Sequence, residues 1–171
     1  MSFKFEKLEV WQQALDYTDL VYDLIEKLPG REDFNLKSQM RRASTSIHLN
    51  IAEGSTGQTD DEQARFLGMS LRSLIETVAC MHQIARRNLL KDIAPMRKTY
   101  KSAEQLTIRI QAMRKAVAPS QKWVREAKPT YETGMQTDDF EIVVIEQDDH
   151  LSDTEWLSSI VRRPSSPQQR S

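Results

Sequence analysis

The sequence predicts an all-α protein, an antiparallel up-down-up-down four-helix bundle over residues 1–118, followed by a mostly disordered acidic C-terminal tail over 119–171. Three observations lead there. Apolar residues recur at three- and four-residue intervals through the first 117 positions, the period of a helix face rather than of a strand. Proline, glycine and capping residues cut that pattern into four pieces joined by short connections, for which the economical arrangement is a bundle around one core. After Pro119 the register dissolves into a polar, proline-containing segment.

The first helix is expected from Phe5 to Leu28, with Leu8, Trp11, Leu15, Val21, Tyr22, Ile25 and Leu28 inward, and Pro29-Gly30 ends it. From about Glu32 a second stretch places Leu36, Met40, Ala43, Ile47 and Ile51 on one stripe and stops at Gly54, a residue suited to the left-handed position beyond a helix C-terminus. Thr59-Asp60-Asp61-Glu62 supplies a cap, a Glu at the capping-box offset and carboxylates for the positive helix end. A third helix should follow, burying Phe66, Leu67, Leu71, Leu74, Ile75, Val78, Met81 and Ile84 and reaching roughly Leu90. Pro95 fits the first turn of a fourth, with Met96, Tyr100, Ala103, Leu106, Ile110, Met113 and Val117 inward.

Within the tail lie two acidic clusters, Asp138-Asp139-Phe140-Glu141 and Glu146-Gln147-Asp148-Asp149, and a strand-prone run, Ile142-Val143-Val144-Ile145. Ser152-Asp153-Thr154-Glu155 forms a capping box ahead of Trp156, Leu157, Ile160 and Val161, so a short helix is expected near 153–162. Those four apolar residues are candidates for binding a protein partner.

Several function classes lose support on composition. The N-terminus lacks the apolar stretch of a secretory signal and no run approaches a membrane span, so a cytoplasmic protein without membrane partners is expected. Cys80 is the single cysteine, and His48, His82 and His150 stand far apart, which gives no disulfide framework and no metal-ligand spacing. With no phosphate-binding glycine loop and no activated nucleophile, and with Glu53 and Glu76 lacking companions for acid–base work, neither catalysis nor a cofactor is expected.

The net charge of −1 conceals an asymmetry. Residues 1–80 hold 9 basic and 13 acidic side chains, residues 81–130 hold 12 and 3, and residues 131–171 hold 3 and 9. The middle segment is therefore basic. Arg86, Arg87, Lys91, Arg97, Lys98, Lys101, Arg109 and Lys115 run from the end of the third helix along the fourth and are the candidate nucleic-acid contacts. Few aromatic residues interleave with them, so contact with phosphates rather than bases is expected.

On the second helix Arg42, Ser46, Asn50 and Glu53 follow at four-, four- and three-residue spacing, a polar stripe flanking the apolar one. A polar group in that position must be paired, so the stripe is expected at a seam between helices or subunits.

Phe5-Glu6-Lys7-Leu8-Glu9-Val10-Trp11-Gln12-Gln13-Ala14, Gln39-Met40-Arg41-Arg42-Ala43, Ser46-Ile47, Asn50-Ile51-Ala52-Glu53-Gly54, and Phe66-Leu67 followed by Ser73-Leu74-Ile75-Glu76 closely resemble the four-helix-bundle family of proteins encoded in 23S rRNA intervening sequences. The resemblance implies a homopentameric ring. In one branch, the accessory variability proteins of diversity-generating retroelements, it implies a basic barrel that binds nucleic acid and a partner reverse transcriptase. The chain departs from the family at Ser55-Thr56-Gly57-Gln58-Thr59-Asp60-Asp61-Glu62, where relatives often carry basic residues, and in its added acidic tail.

Two functions follow as expectations: an oligomeric, nucleic-acid-binding accessory subunit with a reverse-transcriptase-like partner, or a multivalent scaffold whose tail recruits another protein. The tail itself has two roles open to it, folding over the basic face in competition with phosphate, or acting as the recruiting arm.

Overall fold

The structure, a computed structural model, describes residues 2–57, 59–118 and 151–161. The disorder expected of the tail, and its strand-prone run, fall on residues outside those described. Five α-helices make up the described residues together with two short 3-10 turns, and no strand occurs among them: α1 Glu9–Ile25, α2 Leu36–Ser55, α3 Asp60–Arg86, α4 Ala94–Val117 and α5 Asp153–Ile160.

A 3-10 turn over Lys4–Lys7 precedes α1, and the Gln12 side-chain amide donates back to the Glu6 carbonyl at 2.9 Å, tying turn to helix. Of the residues expected inward, Val21, Ile25 and Leu28 are buried, while Leu8, Trp11 and Leu15 lie on the flank and Tyr22 is 40 % exposed; Val10, Ala14, Tyr17 and Leu24 complete the buried face instead. Tyr17 turns inward, where its hydroxyl finds Thr77 Oγ1 at 2.5 Å.

In α2 every expected core residue is buried. Gly54, however, lies within the helix, and no described glycine has positive φ. Its small size has another cause: a Cβ there would come within 2.8 Å of Phe66 Cβ on α3, so glycine lets the two helices approach.

Thr59 caps α3 by accepting the Glu62 N–H at 3.2 Å, with three carboxylates in the first turn. The helix ends at Arg86, a little before the expected Leu90. Asn88 takes the left-handed conformation at φ 49°, Leu89 N–H donates to the Ile84 carbonyl and Asn88 N–H to the Ala85 carbonyl, the pattern of a Schellman stop. At the start of α4 the Asp92 carboxylate accepts the Ala94 N–H at 3.0 Å, and Pro95 occupies the first turn.

Along the helical body α1 packs on α2 and α4, and α3 packs on α2 and α4. The pairs Gly54 with Phe66, Ile47 with Ser70 and Ser46 with Ser73 join α2 to α3, and Glu9 with Arg109 and Leu20 with Thr99 join α1 to α4. Buried hydroxyls stitch these contacts. Thr18 donates to the Ser44 carbonyl of α2, Ser70 to Ile47 and Thr99 to Leu20, around an apolar core that Leu24, Leu36, Met40, Leu67, Leu74, Met81, Ile84 and Met96 fill.

Candidate nucleic-acid interface

Helix α4 is 24 residues long, about 36 Å at 1.5 Å per residue. Because Met96, Ala103, Leu106 and Ile110 bury one face, the opposite face must carry the charge. Its exposed residues include Lys98, Lys101, Arg109 and Lys115 and no acidic one, while Glu104, the helix's single carboxylate, is half-buried. Arg86, Arg87 and Lys91 are exposed at the end of α3 and in the loop beyond it. The expected basic residues therefore lie along one helix and its approach.

Arg87, Arg97 and Arg109 have structural partners that sequence could not assign. Arg87 holds Glu32 through both guanidinium nitrogens, at 3.1 and 3.3 Å, and Glu32 is 2 % exposed. That bidentate pair fixes the loop before α2 to the end of α3. Arg109 pairs with Glu9 at 2.7 Å, linking α4 to the first turn of α1. Arg97 pairs with Asp153 at 3.1 Å, and Asp153 belongs to the tail.

The tail helix α5 is where structure adds most. Its capping box forms as expected: Ser152 Oγ accepts the Glu155 N–H and Glu155 accepts the Ser152 N–H at 2.9 Å. The Glu155 carboxyl is held below its usual range, first by the Ser152 hydroxyl and then by its N–H. Trp156 and Ile160 are buried, Leu157 and Val161 pack against the same core, and so these four candidate partner-binding residues lie against the chain's own helices. Trp156 meets Tyr100 of α4 edge-on with ring centroids 5.5 Å apart. Tyr100 meets His82 of α3 at 5.9 Å, and the Ile160 carbonyl accepts from His82 Nδ1 at 2.9 Å, which places the ring proton on that nitrogen. Burial, with Glu104 adding to it, raises the Tyr100 phenol pKa. The seat formed by His82, Arg97 and Tyr100 was not found from sequence. Its signal was the position of His82 and Tyr100 on the flanks of their apolar stripes.

The polar stripe of α2 divides. Asn50 is buried and its amide donates to the Ser46 carbonyl at 2.7 Å and to Ser46 Oγ at 2.9 Å, while Ser73 of α3 donates to Ser46 Oγ at 3.0 Å. Those residues form a seam between α2 and α3. Arg42 and Glu53 are exposed instead, and with Tyr22 and Leu49 they line an open groove over the same stripe. No group of three metal-ligating side chains occurs among the described residues, and none of their helices is long and apolar enough to cross a membrane.

Comparison with known families is decisive at one level. The family described as 23S rRNA-intervening sequence protein matches residues 6–116, more than half of the chain and all of α1 through nearly the end of α4. The chain belongs to that family. No curated protein matches it. The match to the 23S rRNA-intervening sequence family ends before α5, whereas His82, Arg97 and Tyr100, on which α5 sits, fall within it.

Proposed function

We propose that this family member is a non-catalytic, self-associating cytoplasmic protein that binds nucleic acid through the outer face of α4, serving as an accessory subunit to a reverse-transcriptase-like partner. In this proposal residues 1–118 form an antiparallel up-down-up-down bundle. Its copies associate, as a pentamer by resemblance, through the groove over Arg42 and Glu53. The observation that carries the proposal is the exposed surface of α4, where four cations, Arg109 among them paired with Glu9 of α1, span two to three dozen ångströms and the helix itself exposes no carboxylate. Such a surface tracks a phosphate backbone without reading bases.

A salt titration tests it. Binding of a fluorescein-labelled oligo-uridylate and of a labelled DNA duplex should weaken with rising salt, log K falling by about 0.7 to 0.9 per log unit of salt for each phosphate contacted. Reversing Lys98 and Lys101 to Glu should lower the affinity and reduce the slope by about one per lost contact. Absence of binding to either probe at low salt would refute the proposal.

A further inference from the structure

We infer that the surface shared by His82 of α3 and Arg97 and Tyr100 of α4 is a docking seat for a short acid-capped helix, that residues 152–161 of this chain are its resident, and that their occupancy competes with nucleic acid for the basic face. This rests on the nucleic-acid reading of α4 and names its regulation. The contacts have the composition of a built but releasable site. An aromatic pair, Trp156 on Tyr100, supplies the anchor, the bond between His82 and the Ile160 carbonyl holds the helix C-terminus, and the Arg97–Asp153 pair holds its first turn.

Charge decides what this seat does. Docking places the Asp153 carboxylate on Arg97, at the α3 end of the face where Lys98 and Lys101 are exposed. A phosphate approaching there must displace one anion or meet repulsion from it.

Chain length permits release and return. Arg97 and Val117 are 20 residues apart on α4, about 30 Å, whereas the 32 residues from 119 to 150 can extend to roughly 100 Å. A connection of that length reaches the seat and keeps α5 at high local concentration when it lifts off. An eight-residue helix anchored by one aromatic residue is marginal alone, so its occupancy answers to competition.

The experiment uses the full chain with Trp156→Ala, and with Asp153→Arg as a second variant on a half-exposed residue that leaves the helical body untouched. Amide hydrogen exchange over residues 153–160 reports docking, and the same oligo-uridylate and duplex probes report binding. Released α5 should exchange faster, and the probes should bind about threefold to tenfold tighter, the tax that a seat occupied roughly 70–90 % of the time places on a competitor. A synthetic peptide of residues 151–161 should restore the weaker binding to Trp156→Ala. If α5 is released and affinity stays that of the wild type, the competition is wrong while the nucleic-acid reading stands. If no form binds either probe, both are wrong. If neither variant accelerates exchange, the seat itself is not held by these contacts and the inference fails.

Discussion

Tyr17 donates its hydroxyl to Thr77 Oγ1, and Thr77 in turn donates to the Leu74 carbonyl, so the phenol supplies one bond and the threonine closes a chain. Tyr17 has no exposed surface, and burial pushes its pKa well up. The two partners should therefore respond unequally to deletion. Tyr17→Phe leaves Thr77 still bonded to Leu74 and should cost about 1 kcal/mol, whereas Thr77→Val strands a buried hydroxyl and should cost about 2–3 kcal/mol in urea denaturation. Equal costs would show that Tyr17 finds another acceptor. His48 offers a test by pH. Burial lowers its pKa below the ordinary 6.5, with the Asp19 carboxylate acting against that shift. Between the lowered value and 6.5 the unfolded chain binds more protons, so stability rises with pH through that window and falls on acidification. Thermal melts below neutral pH should drop more steeply for the wild type than for His48→Gln, and parallel curves would remove His48 as the source.

Among the elements, two glycines behave oppositely, Gly54 at the contact between α2 and α3 and Gly68 where α3 meets Arg114 of α4. At Gly54 an added Cβ would lie 2.8 Å from Phe66 Cβ and 3.4 Å from the Gln63 carbonyl, atoms near the backbone that cannot swing aside. Gly54→Ala should destabilise by about 1–3 kcal/mol through overpacking, despite alanine's higher helix propensity. At Gly68 the nearest atoms are the guanidinium of Arg114 at 3.6 Å, an ordinary contact with a flexible side chain. Gly68→Ala should be neutral or stabilise by up to about 1 kcal/mol. Differential scanning calorimetry of the two variants would expose a misplaced α2–α3 contact if Gly54→Ala melted no lower than Gly68→Ala. These glycines also mark what sequence can convey. The caps at Thr59 and Ser152 were legible because a cap is a local pattern in which the partners lie three residues apart. The role of Gly54 was not, since a close approach and a chain-reversing conformation ask for the same residue. Nor was the burial of Tyr17 on α1, whose hydroxyl partner Thr77 lies 60 residues away. The basic positions at the end of α3 and on α4 were readable as a list, but the partners of Arg87, Arg97 and Arg109 lie 55 to 100 residues off in sequence.

At the scale of the whole molecule, two exposed surfaces differ in character, a largely cationic face of α4 on which Ile108 is an exposed apolar side chain, and a more apolar one over α2. Lys98, Lys101 and Lys115 mark the outer face of α4, while the exposed apolar side chains Tyr22 and Leu49 line the groove over the α2 stripe and Met69 is exposed on α3 four residues from Ser73. Under the proposed self-association the α2 groove is the subunit contact, and cations from several copies then face the same nucleic acid. Affinity in such an assembly multiplies over subunits, because phosphate contacts made by one copy raise the local concentration for the next. Leu49 is 49 % exposed in the single chain, so Leu49→Glu should leave the folded chain intact and act only on assembly. Sedimentation velocity should show the assembly replaced by a monomer whose thermal melt is close to that of the wild type. The salt slope of probe binding should fall in step with subunit number, since each departing copy takes its phosphate contacts with it. A Leu49→Glu protein that remains assembled places the contact elsewhere on the surface, and a monomer with an unchanged salt slope means that one α4 face carries the whole nucleic-acid interaction by itself.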